Sequence, residues 1–210
     1  GKKVFVGPGP NDCGIALGAM LNVLKPQEAF DATYSGLTLQ DFDALSQYIQ
    51  DSNINFTTTK CDLEILGKDI LEGKIVGVAR GRAEHGPRAL GNRSLLADPR
   101  VEDIKDTVNA IKQRQQFRPF APVILEEICH EYFDMPTGWP NSRYMQTVAQ
   151  CRHPDLYPAI VHYDGTSRVQ TVPKDGSGIR ELLEKWYVMT DCPMLLNTSL
   201  NIRGEPMVND

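Results

Sequence analysis

Apolar positions recur along this chain at two periods, and the period changes from segment to segment. Residues 2–6 read as a short strand, and Gly7-Pro8-Gly9-Pro10 makes a turn. Asn11 or Asp12 then caps a helix predicted over residues 14–24, where Gly14, Ala16, Gly18 and Ala19 permit close packing. Behind Thr38, the residues Leu39, Phe42, Leu45 and Ile49 fall on one helical face, which predicts a capped helix to Gln50. The β-branched run 54–59 predicts a strand. Asp62 caps a further helix to Leu71, with Gly73 as its stop. Residues 74–80, KIVGVAR, read as a buried strand, and the stretch 81–100 follows as a loop.

Asp98-Pro99 is a helix start, and Val101, Ile104, Val108 and Ile111 continue it to Lys112-Gln113-Arg114. Proline brackets the run Phe117 to Pro122 and predicts a rigid approach to a strand at 123–125. A short helix is expected at 126–133 and a proline- and glycine-rich loop at 135–141. Strands are predicted at 144–148, 159–162 and 168–172, the last two joined by a hairpin turn at 163–167. Leu182, Leu183 and Trp186 give the helix 179–189 its apolar face, and 193–196 is a final strand. Strands alternating with amphipathic helices predict an α/β fold. Residues 26–36 read as a connector between two units.

Composition adds three constraints. No apolar run approaches 18 residues, so no membrane span is expected. The five cysteines are widely spaced without a CxxC, which points to reduced thiols and a cytoplasmic setting. Net charge is −5, which disfavours nucleic acid as a partner, yet nine of the 22 basic residues fall between Arg80 and Arg118. Positive charge is thus concentrated where a small anion would need it.

That concentration centres on GRAEHGPRALGNRSLLADPR, residues 81–100. Arginine forks match phosphate and carboxylate oxygens, and glycine lets backbone approach a ligand closely. The same residues also fit an arginine-rich surface loop paired with local acids such as Glu84 and Asp98. Lys112 and Arg114 suit a helix C-terminus, and Asn197 to Asn201 suit a self-capping turn. Cys129-His130 lacks an accompanying oxyanion loop, and Trp139 and Trp186 read as packing residues.

Four motifs take the reading further: EHGPRALGNRSLLADPR (84–100), Asn109 with KQRQQFRPFAPVILEE (112–127), HYDGTSRVQTV (162–172) and LLNTSLNIRGEPMV (195–208). In this order they resemble the C-terminal part of the carbamoyltransferase family of NodU, CmcH and TobZ. Residues 6–20 resemble the end of that family's N-terminal domain, with Asp12 where a metal-binding aspartate stands.

The resemblance implies a YrdC-like α/β (α+β) fold, a twisted mixed sheet with flanking helices, over residues 31–210. Residues 1–30 would be the strand–helix tail of an ASKHA-type carbamoyl-transfer domain. The chain is expected to be a fragment of an enzyme, because no HxxxH motif is present and relatives continue past Asp210. The implied function is part of an O-carbamoyltransferase. It forms carbamoyl adenylate from carbamoyl phosphate and ATP, with Mg²⁺, for transfer to a hydroxyl acceptor. An iron-type divalent metal, with Asp12 as one ligand, is expected only with the missing N-terminal transferase domain.

The implied roles fall on particular residues. Lys112, Arg114 and Arg88 carry the chemistry, with Arg118 beside them and Arg93 on the phosphates. Asn92, Ser94, Asn197, Thr198, Ser199 and Asn201 bond the substrates, and Arg168 takes the carbamoyl end. The competing implication is a non-catalytic nucleotide- or RNA-binding module of the same fold, and a third is a purely structural domain.

Overall fold

The structure is a computed structural model that describes residues 6–28, 31–39, 42–52, 60–139, 141–175 and 179–209. The strands expected at 2–6 and 54–59 lie outside the described residues, apart from Val6. Six helices and seven strands are described: α1 (Ile15–Leu24), α2 (Phe42–Asp51), α3 (Leu63–Leu71), β1 (Val76–Ala79), β2 (Arg93–Ala97), α4 (Ile104–Ile111), β3 (Ala121–Leu125), α5 (Cys129–Tyr132), β4 (Phe133–Asp134), β5 (Thr147–Cys151), β6 (Thr166–Val172), α6 (Arg180–Thr190) and β7 (Met194–Ser199).

The strands form one mixed sheet in the order β1-β2-β7-β3-β6-β5-β4. Only β3 and β6 run parallel; every other neighbouring pair is antiparallel. The last strand, β7, is therefore a central one, set between β2 and β3. Its register puts Asn197 between Leu96 and Ala121, and Ser199 opposite Ser94. A central strand buried on both faces reads as a continuous apolar run. Met194, Leu195 and Leu196 supply that run, and the polar residues that follow come out at the sheet's end.

Several local signals act as expected. Asn11, rather than Asp12, caps the first turn, its side chain accepting from Cys13 N. The Asp62 carboxylate accepts from Glu64 N at the start of α3, and Gly73 ends that segment at φ +82°. Leu182, Leu183 and Trp186 are the buried face of α6. They join Ile70 of α3, Ile104 and Val108 of α4, and the strand residues Leu96, Val123, Ile124, Leu195 and Leu196 in one continuous core.

Four readings are corrected. Residues 93–97 form a strand, not loop, because the polar pair Arg93 and Ser94 finds partners inside the fold. Residues 158–160 are a short 3-10 turn rather than a strand. Pro158 starts it, and the Ser167 hydroxyl donates to Ile160 O. Thr38 does not cap α2; it bridges Arg82 instead, and α2 begins at Phe42. The helix expected from Asp98-Pro99 begins at Ile104, because the Asp98 carboxylate is taken by Arg100, with Arg100 Nη2 2.7 Å from Asp98 Oδ2. No helix among the described residues is long and apolar enough to cross a membrane.

Trp186 anchors this core. It is fully buried and its Nε1–H donates to Met194 O at 3.0 Å, tying α6 to β7. Trp186→Ala is expected to cost about 3–5 kcal/mol, a large share of a typical domain's stability. Chemical denaturation should show the midpoint fall accordingly, and a loss below about 1 kcal/mol would refute the anchoring role.

Candidate functional site

The stretch 81–100 contains a buried brace, with Arg82 and Arg88 exposed on either side of Glu84. Glu84 is buried, and its Oε1 accepts from Leu90 N (2.7 Å), Asn92 N (2.8 Å) and Arg93 N (3.2 Å). One carboxylate thus closes the loop 84–93 on itself. Arg93, at 0 % exposure, donates from Nη1 to Arg80 O and Asn92 O, and from Nη2 to Leu37 O, Gly81 O and Asn209 O. Both charges are stabilised by backbone dipoles, and no ion pair joins them to an opposite charge among the described residues. Gly91 turns at φ +115°, and a Cβ there would sit 2.9 Å from Ile179 Cγ2. No other residue type fits this corner without strain.

The residues assigned from the motif therefore separate. Asn92 donates to Arg82 O, and the Ser94 hydroxyl accepts from Gly91 N. Asn92, Arg93 and Ser94 are all buried in the brace and line neither of the two pockets that Arg88 enters. This corrects the expectation that Arg93 would grip phosphates: its Nη1 and Nη2 are taken by backbone carbonyls. Arg88 is exposed in the loop and reaches into a pocket.

Two adjoining pockets receive it. The smaller, about 80 Å³, is lined by Arg88, Arg114, Phe120, Arg168, Asn197 and Ser199, among others. The larger, about 380 Å³, is lined by Arg88, Lys112, Arg114, Arg118, Ser199 and Asn201, with Gln115 and Arg203. Arg88, Arg114 and Ser199 belong to both. Residues from the 84–93 loop, the exit of α4, β6 and the end of β7 meet here, with Met145 beside them.

The exit of α4 is shaped by Asn109 and Gln113. Asn109 Nδ2 donates to Gln116 O and Arg118 O, both at 3.1 Å. Its Oδ1 accepts from Arg114 Nε at 2.5 Å. Gln113 adopts φ +51°, the left-handed conformation common just past a helix end, and Arg114 N bonds back to Asn109 O. The Arg114 guanidinium lies over the Phe120 ring, 4.3 Å from its centroid.

Lys112 plays a different part from its neighbours. It is 5 % exposed, and its ammonium contacts Ser199 O (2.5 Å), Ser199 Oγ (3.2 Å), Asn201 O (2.9 Å) and Asn201 Oδ1 (3.0 Å). Three donors serve four oxygens. Lys112 thus fixes the 199–201 turn while adding charge to the pocket wall.

Electrostatically the pocket is one-signed. Arg88, Lys112, Arg114, Arg118 and Arg168 make no ion pair among the described residues. Burial, then Arg114 and Arg118, pushes the Lys112 ammonium down to about 8. Burial, then Arg118 and Arg168, pushes Arg114 down to about 10. Burial, then Arg88, lowers Arg168 to about 10. Desolvated, mutually repelling cations are what an anion relieves.

Sequence reasoning missed Gln170 and Arg203. Gln170 is readable in retrospect, since it lies two residues from Arg168 and so on the same face of β6. Asp12 is exposed at the start of the first turn, far in sequence from these pockets. No three His, Cys, Asp or Glu side chains gather to hold a metal among the described residues.

The fold and site define a mixed α/β domain with a carboxylate-free cationic pocket at the end of its central strand. The chain belongs to the carbamoyltransferase C-terminal family: the family model described as "Carbamoyltransferase C-terminus" matches residues 67–210. Nodulation protein NolNO of Sinorhizobium fredii is 38% identical over 99% of this chain and 32% of its own length. Nodulation protein NolO of Bradyrhizobium diazoefficiens is 37% identical over 98% of the chain and 40% of its own. The chain therefore spans 32% to 40% of the length of these relatives. HypF of T. kodakarensis shares the fold with a TM-score of 0.52 at 17% identity, over 73% of this chain and 19% of that one. A full-length HypF in a phosphate- and nucleotide-bound form matches with a TM-score of 0.51 at 18% identity, over 75% of this chain and 19% of that one.

Two outcomes test the site. Arg93→Met should destabilise the fold by about 3 kcal/mol or more, because it strands buried carbonyls. Arg88→Met should change stability by no more than about 0.5 kcal/mol while weakening sulfate binding. Equal effects on stability would refute the division between brace and pocket. The second outcome concerns pH. Lys112 carries its charge below about 8 and loses it above. Sulfate, which does not titrate in this range, should bind more weakly at pH 9 than at pH 7, and an unchanged dissociation constant would count against charge on Lys112.

Proposed function

We propose that this chain is the activating part of an O-carbamoyltransferase, which binds carbamoyl phosphate and ATP and forms carbamoyl adenylate. The observation that carries the reading is the set of five cations around two joined pockets with no ion-paired carboxylate. Two highly anionic substrates need such neutralisation to approach each other. The nucleotide- and phosphate-bound state of the HypF fold neighbour supports it.

The chemistry balances as two displacements. Water cleaves the phosphoryl bond of carbamoyl phosphate and releases phosphate and carbamate. A carbamate oxygen then attacks the α-phosphorus of ATP, and pyrophosphate leaves. No residue of the pocket is a covalent nucleophile, so catalysis rests on positioning and charge stabilisation. Arg88, Arg114 and Arg118 hold phosphoryl oxygens, and Arg168 faces the smaller pocket. Lys112 keeps the 199–201 turn in place, where Thr198, Ser199 and Asn201 present polar groups to the nucleotide. Mg²⁺ would arrive on the ATP phosphates, because the pocket offers no carboxylate to hold it.

The rest of the enzyme is read the same way. Residues 1–30 belong to the transfer domain and 31–210 to the activating domain. Among the described residues, no residue of α1 is buried, and Ile15, Met20, Val23 and Leu24 face solvent, which suits a helix covered by the remainder of its own domain. The missing domain supplies the hydroxyl acceptor site and, with Asp12, the metal. The setting is cytoplasmic and the role biosynthetic.

Pyrophosphate release tests the proposal. The purified chain with ATP and Mg²⁺ should release pyrophosphate only when carbamoyl phosphate is added, and Arg114→Ala should abolish it. A folded chain that binds neither ATP nor carbamoyl phosphate would overturn it.

A further inference from the structure

Asn109 lines neither pocket, yet the contacts that fix Arg114 run through it. It is 0 % exposed, in the last turn of α4. Its Oδ1 accepts from Arg114 Nε at 2.5 Å, and its backbone carbonyl accepts from Arg114 N at 3.1 Å. Its Nδ2 donates to Gln116 O and Arg118 O, both at 3.1 Å. Those two bonds hold the segment that leads into Pro119 and Phe120. Pro119 O in turn accepts from Arg114 Nη2 at 3.4 Å, and the Phe120 ring lies against the guanidinium. One buried amide thus sets both the direct and the supporting contacts of a cation that lines both pockets.

The amide has one workable orientation, because Arg114 Nε–H can only donate and the two carbonyls can only accept. An aspartate of the same shape would keep the first contact and lose the other two. It would also supply the opposite charge that Arg114 lacks. Burial, then Arg118 and Arg168, holds Arg114 below its ordinary range, and a carboxylate at 109 would relieve that within the fold. A neutral amide fixes the guanidinium by geometry and leaves its charge to a ligand. We infer that Asn109 is a positioning residue, which holds Arg114 by its Nε so that Nη1 meets the oxygens of a tetrahedral anion in the pocket. This rests on the reading of the pocket as an anion site.

Calorimetric titration with sulfate, arranged as a double-mutant cycle, separates positioning from folding. Asn109→Ala should weaken sulfate binding about 5- to 10-fold in the otherwise unsubstituted chain. In a chain that already carries Arg114→Met, the same change should cost less than about twofold. Asn109→Asp should weaken binding at least as much as Asn109→Ala, although it is the closer isostere. An equal loss from Asn109→Ala in both backgrounds, or unchanged binding by Asn109→Asp, overturns the inference. A second measurement, on the unsubstituted chain, serves even where the variants fail to fold. The Arg114 Nε–H, identified in the proton–nitrogen NMR spectrum by its proximity to the Phe120 ring protons, should exchange slowly with solvent and stay slow with sulfate bound. Fast exchange of that Nε–H overturns the inference. Failure of the unsubstituted chain to bind sulfate would instead overturn the underlying reading of the pocket.

Discussion

Two opposite charges buried by backbone groups, Glu84 and Arg93, hold this structure's site together. Each would be costly in isolation, since an unpaired buried ion loses its hydration without return. Glu84 gathers three backbone N–H groups of the 90–93 turn, and Arg93 gathers carbonyls from residues 37, 80, 81, 92 and 209. The second set joins parts of the chain far apart in sequence to the start of β2. With these bonds in place the loop can leave Arg88 in the pocket and present the Ala89 and Leu90 carbonyls to Asn197 and Gln170.

Around that brace the fold collects cations and keeps acids elsewhere. The ion pairs it does form are peripheral to the pocket: Arg180 with Glu127 and Glu184, Arg143 with Glu126, Arg152 with Asp134. Lys112, Arg114 and Arg168 sit instead in partial burial against one another, each held below its ordinary range. Neutral groups do the fixing. Asn109 holds Arg114 and the following loop, Phe120 takes the guanidinium face, and the 199–201 turn wraps the Lys112 ammonium. A neutral scaffold leaves the pocket's charge available to ligands.

Much of the fold was legible in the sequence where one signal dominated. Asp62 and Gly73 bounded α3, and the spacing of Leu182, Leu183 and Trp186 marked α6. The alternation of strands and helices gave the mixed α/β class. Legibility failed where polar residues were satisfied by distant backbone. Arg93 and Ser94 looked like loop chemistry because nothing nearby in sequence shows carbonyls from residue 37 or residue 209. Residues 159–162 looked like a strand because their apolar run does not reveal that Pro158 and Ser167 hold a turn. Among the candidate residues, Arg88, Lys112, Arg114, Arg118, Arg168, Asn197, Thr198, Ser199 and Asn201 line the two pockets, while Asn92, Arg93 and Ser94 do not.

The sequence by itself determined which chemistry was available: arginines and a lysine, amide and hydroxyl groups, and glycines at the corners. Local periodicity and caps also determined most elements, because those forces act within a few residues. Tertiary structure alone decided which arginine is structural and which faces a ligand. The distinction depends on whether a guanidinium meets carbonyls or open space once β7 is inserted between β2 and β3. The same insertion turns the Asn197 amide, since Gln170 and Ala89 reach it only across the assembled sheet.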